Sequence, residues 1–187
     1  MSIARASVLL ASLASALAFA QLPASADGTA DLRSFITLTK PLTFAGIVGL
    51  RGKLLPKETD EWTSPMRYGP SLRRCLVVDL PSLTAIISGG HDVASSAIQC
   101  DGARRPVAQS ALVAWAVATI SPLLPGYTMK RNPARRPGDR SSVVWKNARG
   151  VTFDFIAMGP KDPAGYNVSI EIPNPSTPSP EPTDETP

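Results

Sequence analysis

The segment "YNVSIEI", residues 166–172, alternates without a break: Tyr166, Val168, Ile170 and Ile172 are apolar, and Asn167, Ser169 and Glu171 between them are polar. Successive side chains of a strand point to opposite faces, so this is a strand with one dry face and one wet face. A sheet that tolerates water on one side is antiparallel as a rule, because parallel sheets are covered on both sides by their crossover helices. The strand therefore implies a meander, and the residues before it supply the neighbours.

"SSVVWKN" (141–147) and "VTFDFIAM" (151–158) share the two-residue period and are joined across "NARG", where Gly150 can take the left-handed conformation that closes a hairpin. "GYTMK" (126–130) adds a short strand ahead of them. Further upstream, "RCLVVDL" (74–80) sets Leu76, Val78 and Leu80 on one face and Cys75 and Val77 on the other, a strand covered in part on both sides. "LTAIIS" (83–88), after the break at Pro81 and Ser82, reads as the returning arm of a hairpin. Asp92 is placed to cap a short helix "VASSAIQC" (93–100), which "DG" at 101–102 ends. "SFITLTKPLTFAGIVGL" (34–50) reads as one or two strands interrupted at Pro41. "RGKLLPKETDEWTSPMRYGP" (51–70) is a long loop pinned by Trp62, Met66 and Tyr68.

The period changes once, in "VAQSALVAWAVATIS" (107–121), a helix framed by Pro106 and Pro122. It is apolar nearly all round and too short in its apolar run to span a bilayer, which predicts burial under a sheet. The expected fold is α+β: one long buried helix packed on an antiparallel sheet whose C-terminal strands form a meander.

Both ends have other characters. Residues 1–26 have a positive start at Arg5, a 15-residue apolar stretch "ASVLLASLASALAFA", and Ala24 and Ala26 in the A-x-A spacing of a cleavage site. That is the pattern of a signal peptide, with no transmembrane span left in the mature chain. Residues 173–187, "PNPSTPSPEPTDETP", hold six prolines and three acids and no large apolar side chain, so they are expected to form a disordered tail. Residues 27–172 then make a single domain. The whole chain is formally +4; without Arg5 and without Glu181, Asp184 and Glu185, the body carries 18 Lys and Arg against 12 Asp and Glu. The alanine-rich leader and Arg/Pro-rich body fit a bacterial protein.

An exported protein with two cysteines favours one disulfide, Cys75 to Cys100. Inside the loop this bridge closes lies "SGGHD" (88–92), with the only histidine of the chain. A hydrolase reading would use Ser88 as nucleophile, His91 as base and Asp92 to orient it, but adjacent His and Asp side chains point apart, whereas a triad converges from separate segments. A glycine turn after a regular element explains the same residues. The candidate metal ligands are no better placed: one histidine and two bridged cysteines leave zinc without its usual donors, and Asp79, Asp92 and Asp154 have no recognisable spacing. Glu58, Asp60 and Glu61 read as a solvated charged loop. No cofactor motif is present, and Asp154 stands out as the one acid inside an apolar strand.

The densest charge is in residues 130–149, where Lys130, Arg131, Arg135, Arg136, Arg140, Lys146 and Arg149 face a single acid, Asp139, and Trp145 sits among them as a stacking surface or as a core residue. Such a cluster attracts phosphates and carboxylates. Nucleic acid is a poor partner for an exported chain, so the expected partner is an anionic envelope component or an acidic protein. The function this predicts is that of a small non-enzymatic binding or accessory protein, periplasmic or extracellular. The alternatives are an extracytoplasmic hydrolase using the His91 and Asp92 loop, and a structural or secretion-linked protein acting through its Pro-rich tail.

Overall fold

The computed structural model describes residues 28–56, 60–90, 92–105, 107–136, 138–159 and 165–177. The proposed signal peptide, His91 and most of the Pro-rich tail lie outside the described residues. Seven antiparallel strands form one sheet: β1 (Glu61–Thr63), β2 (Leu72–Pro81), β3 (Val93–Gly102), β4 (Thr128–Asn132), β5 (Ser141–Lys146), β6 (Thr152–Ala157) and β7 (Tyr166–Pro173). Their order is β1-β2-β3-β7-β6-β5-β4. The C-terminal strands β4 to β7 are the expected meander, and β7 then pairs inward with β3, register Ile98 to Ile170 and Cys100 to Val168.

Helices α1 (Thr29–Thr39), α2 (Phe44–Val48) and α4 (Gln109–Ile120) accompany the sheet, with α3 (Leu83–Ser88) at the β2–β3 turn. The expected long helix is α4, and it is 12 residues long, buried through Leu112, Ala116, Thr119 and Ile120 only. Its outer positions, Ala111, Ala114 and Ala118, are exposed. It looked apolar all round because alanine, a strong helix former, occupies the outward face where a polar residue would mark the boundary. It is also not alone. Residues 34–50, read as strands, are α1 and α2: Leu32, Phe35, Ile36 and Thr39 of α1 are buried at the three- and four-residue spacing of one helical face. Trp115 Nε1 donates to Thr29 Oγ1 at 2.9 Å and Lys40 Nζ to the Leu123 carbonyl at 2.9 Å, which ties α1 to α4 and the turn after it.

Two further readings are corrected around the β2–β3 turn. "LTAIIS" is α3, capped at both ends: Ser82 Oγ accepts from the Ala85 N–H at 3.0 Å, and Gly89 takes the left-handed conformation, φ 70°, at its C-terminus. "VASSAIQC" is not a helix but strand β3, and Asp101 and Gly102 close that strand instead of forming a turn. β3 is sandwiched between β2 and β7, so two ladders of backbone hydrogen bonds override the weak strand preference of its Ala and Ser residues. The disulfide Cys75–Cys100 joins β2 to β3, with the two Cα atoms 4.1 Å apart.

The core lies between the helices and one face of the sheet, where Val143, Trp145, Phe153, Phe155, Val168, Ile170, Ile98 and Val77 are buried. Trp115 of α4 meets Phe155 and Tyr166 edge-on, and those two rings stack at 5.1 Å. The other face carries Thr152, Asp154, Ser169 and Glu171, all partly exposed, as the alternation of residues 166–172 predicts, but Asn167, expected there too, is buried and donates to Asp101. The folded chain continues past Ile172: Pro173 closes β7, and Asn174 Nδ2 and Thr177 Oγ1 both donate to the Val93 carbonyl. Among the described residues no helix is long and apolar enough to cross a membrane.

Candidate functional site

Strand β4 is an edge strand with all five residues exposed, and its Lys130 and Arg131 do what charges on an edge do: they discourage pairing with another chain. The loop that follows, residues 133–140, presents Arg135, Arg136 and Arg140 to solvent. It is a built loop. Ser141 Oγ accepts from the Ala134 N–H at 3.0 Å, and the Asp139 carboxylate accepts from the Arg136 N–H at 2.9 Å. Gln109, at the first turn of α4, donates through Nε2 to the carbonyls of Asp139 and Ala157 and accepts from Ser141 Oγ. One glutamine thus pins the basic loop to the helix and to β6, a role that nothing in its sequence context announces. Beneath the loop is an open cleft of about 420 Å³ between Arg135, Asp139, Arg140, Asn132, Ser142 and Ile156.

The structure divides the expected cluster. Arg135, Arg136 and Arg140 share one end of the β4–β5 hairpin, while Lys146 and Arg149 lie at the other end of β5, roughly 17 Å away along the strand. Trp145 faces the core with 1% of its surface exposed and donates through Nε1 to Ser121 Oγ at 3.1 Å. It has no free face to stack on a ligand; of the two roles open to it in the sequence, it fills the core one.

At the β2–β3 turn, Ser88 ends α3 and Asp92 precedes β3 with its carbonyl accepting from the Ser82 N–H at 2.9 Å. Both are exposed. Asp92 caps no helix, because β3 follows it directly. Asp60, Asp79, Gly90 and Asp92 line a small cleft of about 60 Å³ there. Of the acids that line this cleft, Asp79 has its carboxylate already engaged: Arg51 is ion-paired with one oxygen, and Ser96 Oγ donates to the other. The Arg51 guanidinium also lies 4.1 Å from the centre of the Trp62 ring. Asp154, on β6, is three strands away from β2. Among the described residues no three His, Cys, Asp or Glu side chains gather as a metal-holding group.

Asp154 sits half-buried on the wet face of the sheet, opposite Val144 and Ser169. Burial pushes its carboxyl up to about 6, a hydrogen bond from the Phe155 backbone pulls down, and the nearby Glu171 carboxylate adds to the rise. Its Oδ1 is buried without a hydrogen-bond partner. Glu171 is held by Ser95 Oγ at 2.6 Å.

A larger cleft, about 710 Å³, opens where residues 64–70 cross the start of β2, and Arg67, Arg73 and Arg74 line it with Ser64, Met66 and Cys75. The ladder between β2 and β3 slips between Arg73 and Leu76, so two residues of β2 face the single Cys100, and Arg74 has the left-handed φ of 42°. In a regular strand Arg73 and Arg74 would point to opposite faces; the bulge brings both to the same cleft. None of these arginines stands out in the sequence, where they are dispersed through a loop and a strand start. Comparison of the chain with protein-family models, with curated proteins and with solved structures returns no match.

Proposed function

We propose that this is a small exported, non-enzymatic binding protein whose β4–β5 hairpin engages an anionic partner outside the cytoplasm. The observation that carries the reading is the hairpin loop itself: three exposed guanidiniums on a backbone fixed by Gln109 and Ser141, with the local acid folded back onto the Arg136 N–H. A loop that only kept the chain soluble would need no such anchoring, whereas binding gains from donors held in place before the ligand arrives. The disulfide supports export, since such bonds persist in oxidising compartments. The cations are arginines, whose planar forks suit phosphate and carboxylate oxygens.

The test is retention on an anionic matrix such as phosphocellulose. The variant R135S/R136S/R140S should elute at clearly lower salt than the unmodified protein and capture less material from envelope extract. Unchanged elution and capture, with the fold intact by circular dichroism, would overturn the reading.

A further inference from the structure

The hairpin is one of three arginine groups that the topology brings to the same end of the sheet. Leu72 pairs with Gly102, Gly102 with Tyr166, Tyr166 with Ala157, and Ala157 with Ser141, so the β2 start, the β3 end and the β4–β5 loop share one row of strand ends. The connections between them touch in sequence across this end. The Ala103 N–H donates to the Ser71 carbonyl at 2.8 Å, and Met158 N–H donates to the Gly165 carbonyl at 2.9 Å. Gly165 leaves no room for a side chain beside the backbone of Arg104, and Gly159 leaves none beside that of Gly138 in the hairpin loop. The result is a continuous rim: Arg67, Arg73 and Arg74 at one side, Arg104 in the middle, Arg135, Arg136 and Arg140 at the other.

Five strand spacings separate β2 from β4 in the sheet order, which places the two outer groups roughly 24 Å apart. Three acids of the described rim also tie the fold together, Asp31 accepting from the Ser71 N–H and Oγ, Asp101 from Asn167 Nδ2, and Asp139 from the Arg136 N–H, against the seven arginines. A compact anion would meet one arginine group and leave the others untouched. A chain of anions would meet all three. Arg67, Arg73 and Arg74 all line the outer cleft, and the tetrahedral oxygens of a phosphate, which do not share one plane as those of a carboxylate do, suit arginine forks that approach from different sides.

Building on the hairpin reading, we propose that the anionic partner is a linear phosphate-bearing polymer that lies across this rim, from the β4–β5 hairpin past Arg104 into the Arg67, Arg73 and Arg74 cleft. Each contact is modest by itself, and the polymer makes them multivalent.

The experiment uses the full disulfide-bonded protein with three probes: long-chain inorganic polyphosphate, tripolyphosphate and polyglutamate. The unmodified protein should bind the long chain at least ~10-fold more tightly than tripolyphosphate, as linked sites require. The variant R73S/R74G, in which glycine suits the left-handed φ, should lower long-chain affinity by ~10-fold, and R67S, which alters no strand, should lower it in the same direction. Equal affinity for long and short chains, or unchanged long-chain affinity in both R73S/R74G and R67S, overturns the rim while leaving the hairpin reading standing if R135S/R136S/R140S still weakens binding. Polyglutamate bound as tightly as polyphosphate overturns the phosphate assignment alone. No effect of R135S/R136S/R140S on any probe overturns the hairpin reading with it.

Discussion

Tyr166 of β7 lies directly over Gly102 of β3, its partner in the ladder, so closely that a Cβ at position 102 would fall inside the ring. The ring is fixed there by its stack with Phe155 and its edge contact with Trp115, and only 1% of the residue is exposed. The glycine, which the sequence reads as part of a turn, is a place cut out of a strand for an aromatic ring.

Gly102→Ala should therefore destabilise the protein by about 2 kcal/mol, because the overpacked ring has no direction in which to retreat, and lower the Tm by roughly 6 °C. Thermal unfolding followed by circular dichroism measures this. A change of Tm within error would show that the ring is mobile.

Asp154 gives the protein a pH dependence of definite sign. Its folded-state value of about 6 lies above the ordinary aspartate value of 3.8, so between the two the folded chain holds a proton that the unfolded chain has released. Stability is then greatest, from this group, below about 4, falls as pH rises to about 6, and stays reduced above it. Solvent reaches the group, so the loss is on the order of 1 kcal/mol. Asp154→Asn keeps the shape and removes the charge; it should raise the Tm at pH 7 and flatten the profile between pH 4 and 6. A D154N profile parallel to that of the unmodified protein would refute the assignment.

Arg51→Met should cost about 2 kcal/mol, since it strands the Asp79 carboxylate, only 8% exposed, with Ser96 as its remaining partner. The double variant R51M/D79N should be more stable than R51M alone, because the uncompensated charge goes with the arginine. Urea unfolding of the unmodified protein, R51M, D79N and R51M/D79N gives the coupling; strictly additive losses would mean the pair is not a working unit.

The parts of this fold legible in the sequence are those whose side chains carry the sheet's own period. β5, β6 and β7 alternate because one face meets the helices and the other meets water, so burial is written into every second residue, with Asn167 at the start of β7 the buried exception. β3 lies inside the sheet between β2 and β7 and has small residues on both faces; its identity as a strand comes from those two neighbours, which no local window contains. α1 shows the opposite failure: Leu32, Phe35, Ile36 and Thr39 have helical spacing, but Pro41 and the β-branched residues around it point to strands. The hairpin cations were visible because they are close in the chain. Arg67, Arg73, Arg74 and Arg104 were not, because only the strand order sets them beside one another, and Gln109 gave no sign because an amide's role depends wholly on what it meets.

The Cys75–Cys100 bond encloses the whole β2–β3 turn, α3 included, and α3 holds out Ile86 and Ile87 with 64% and 79% of their surface exposed. A protease that cut this tip would not release either half. The product would be a two-chain molecule of unchanged mass apart from one added water, running as a single band until a reductant separated it, with each arginine group of the rim still attached to the same body.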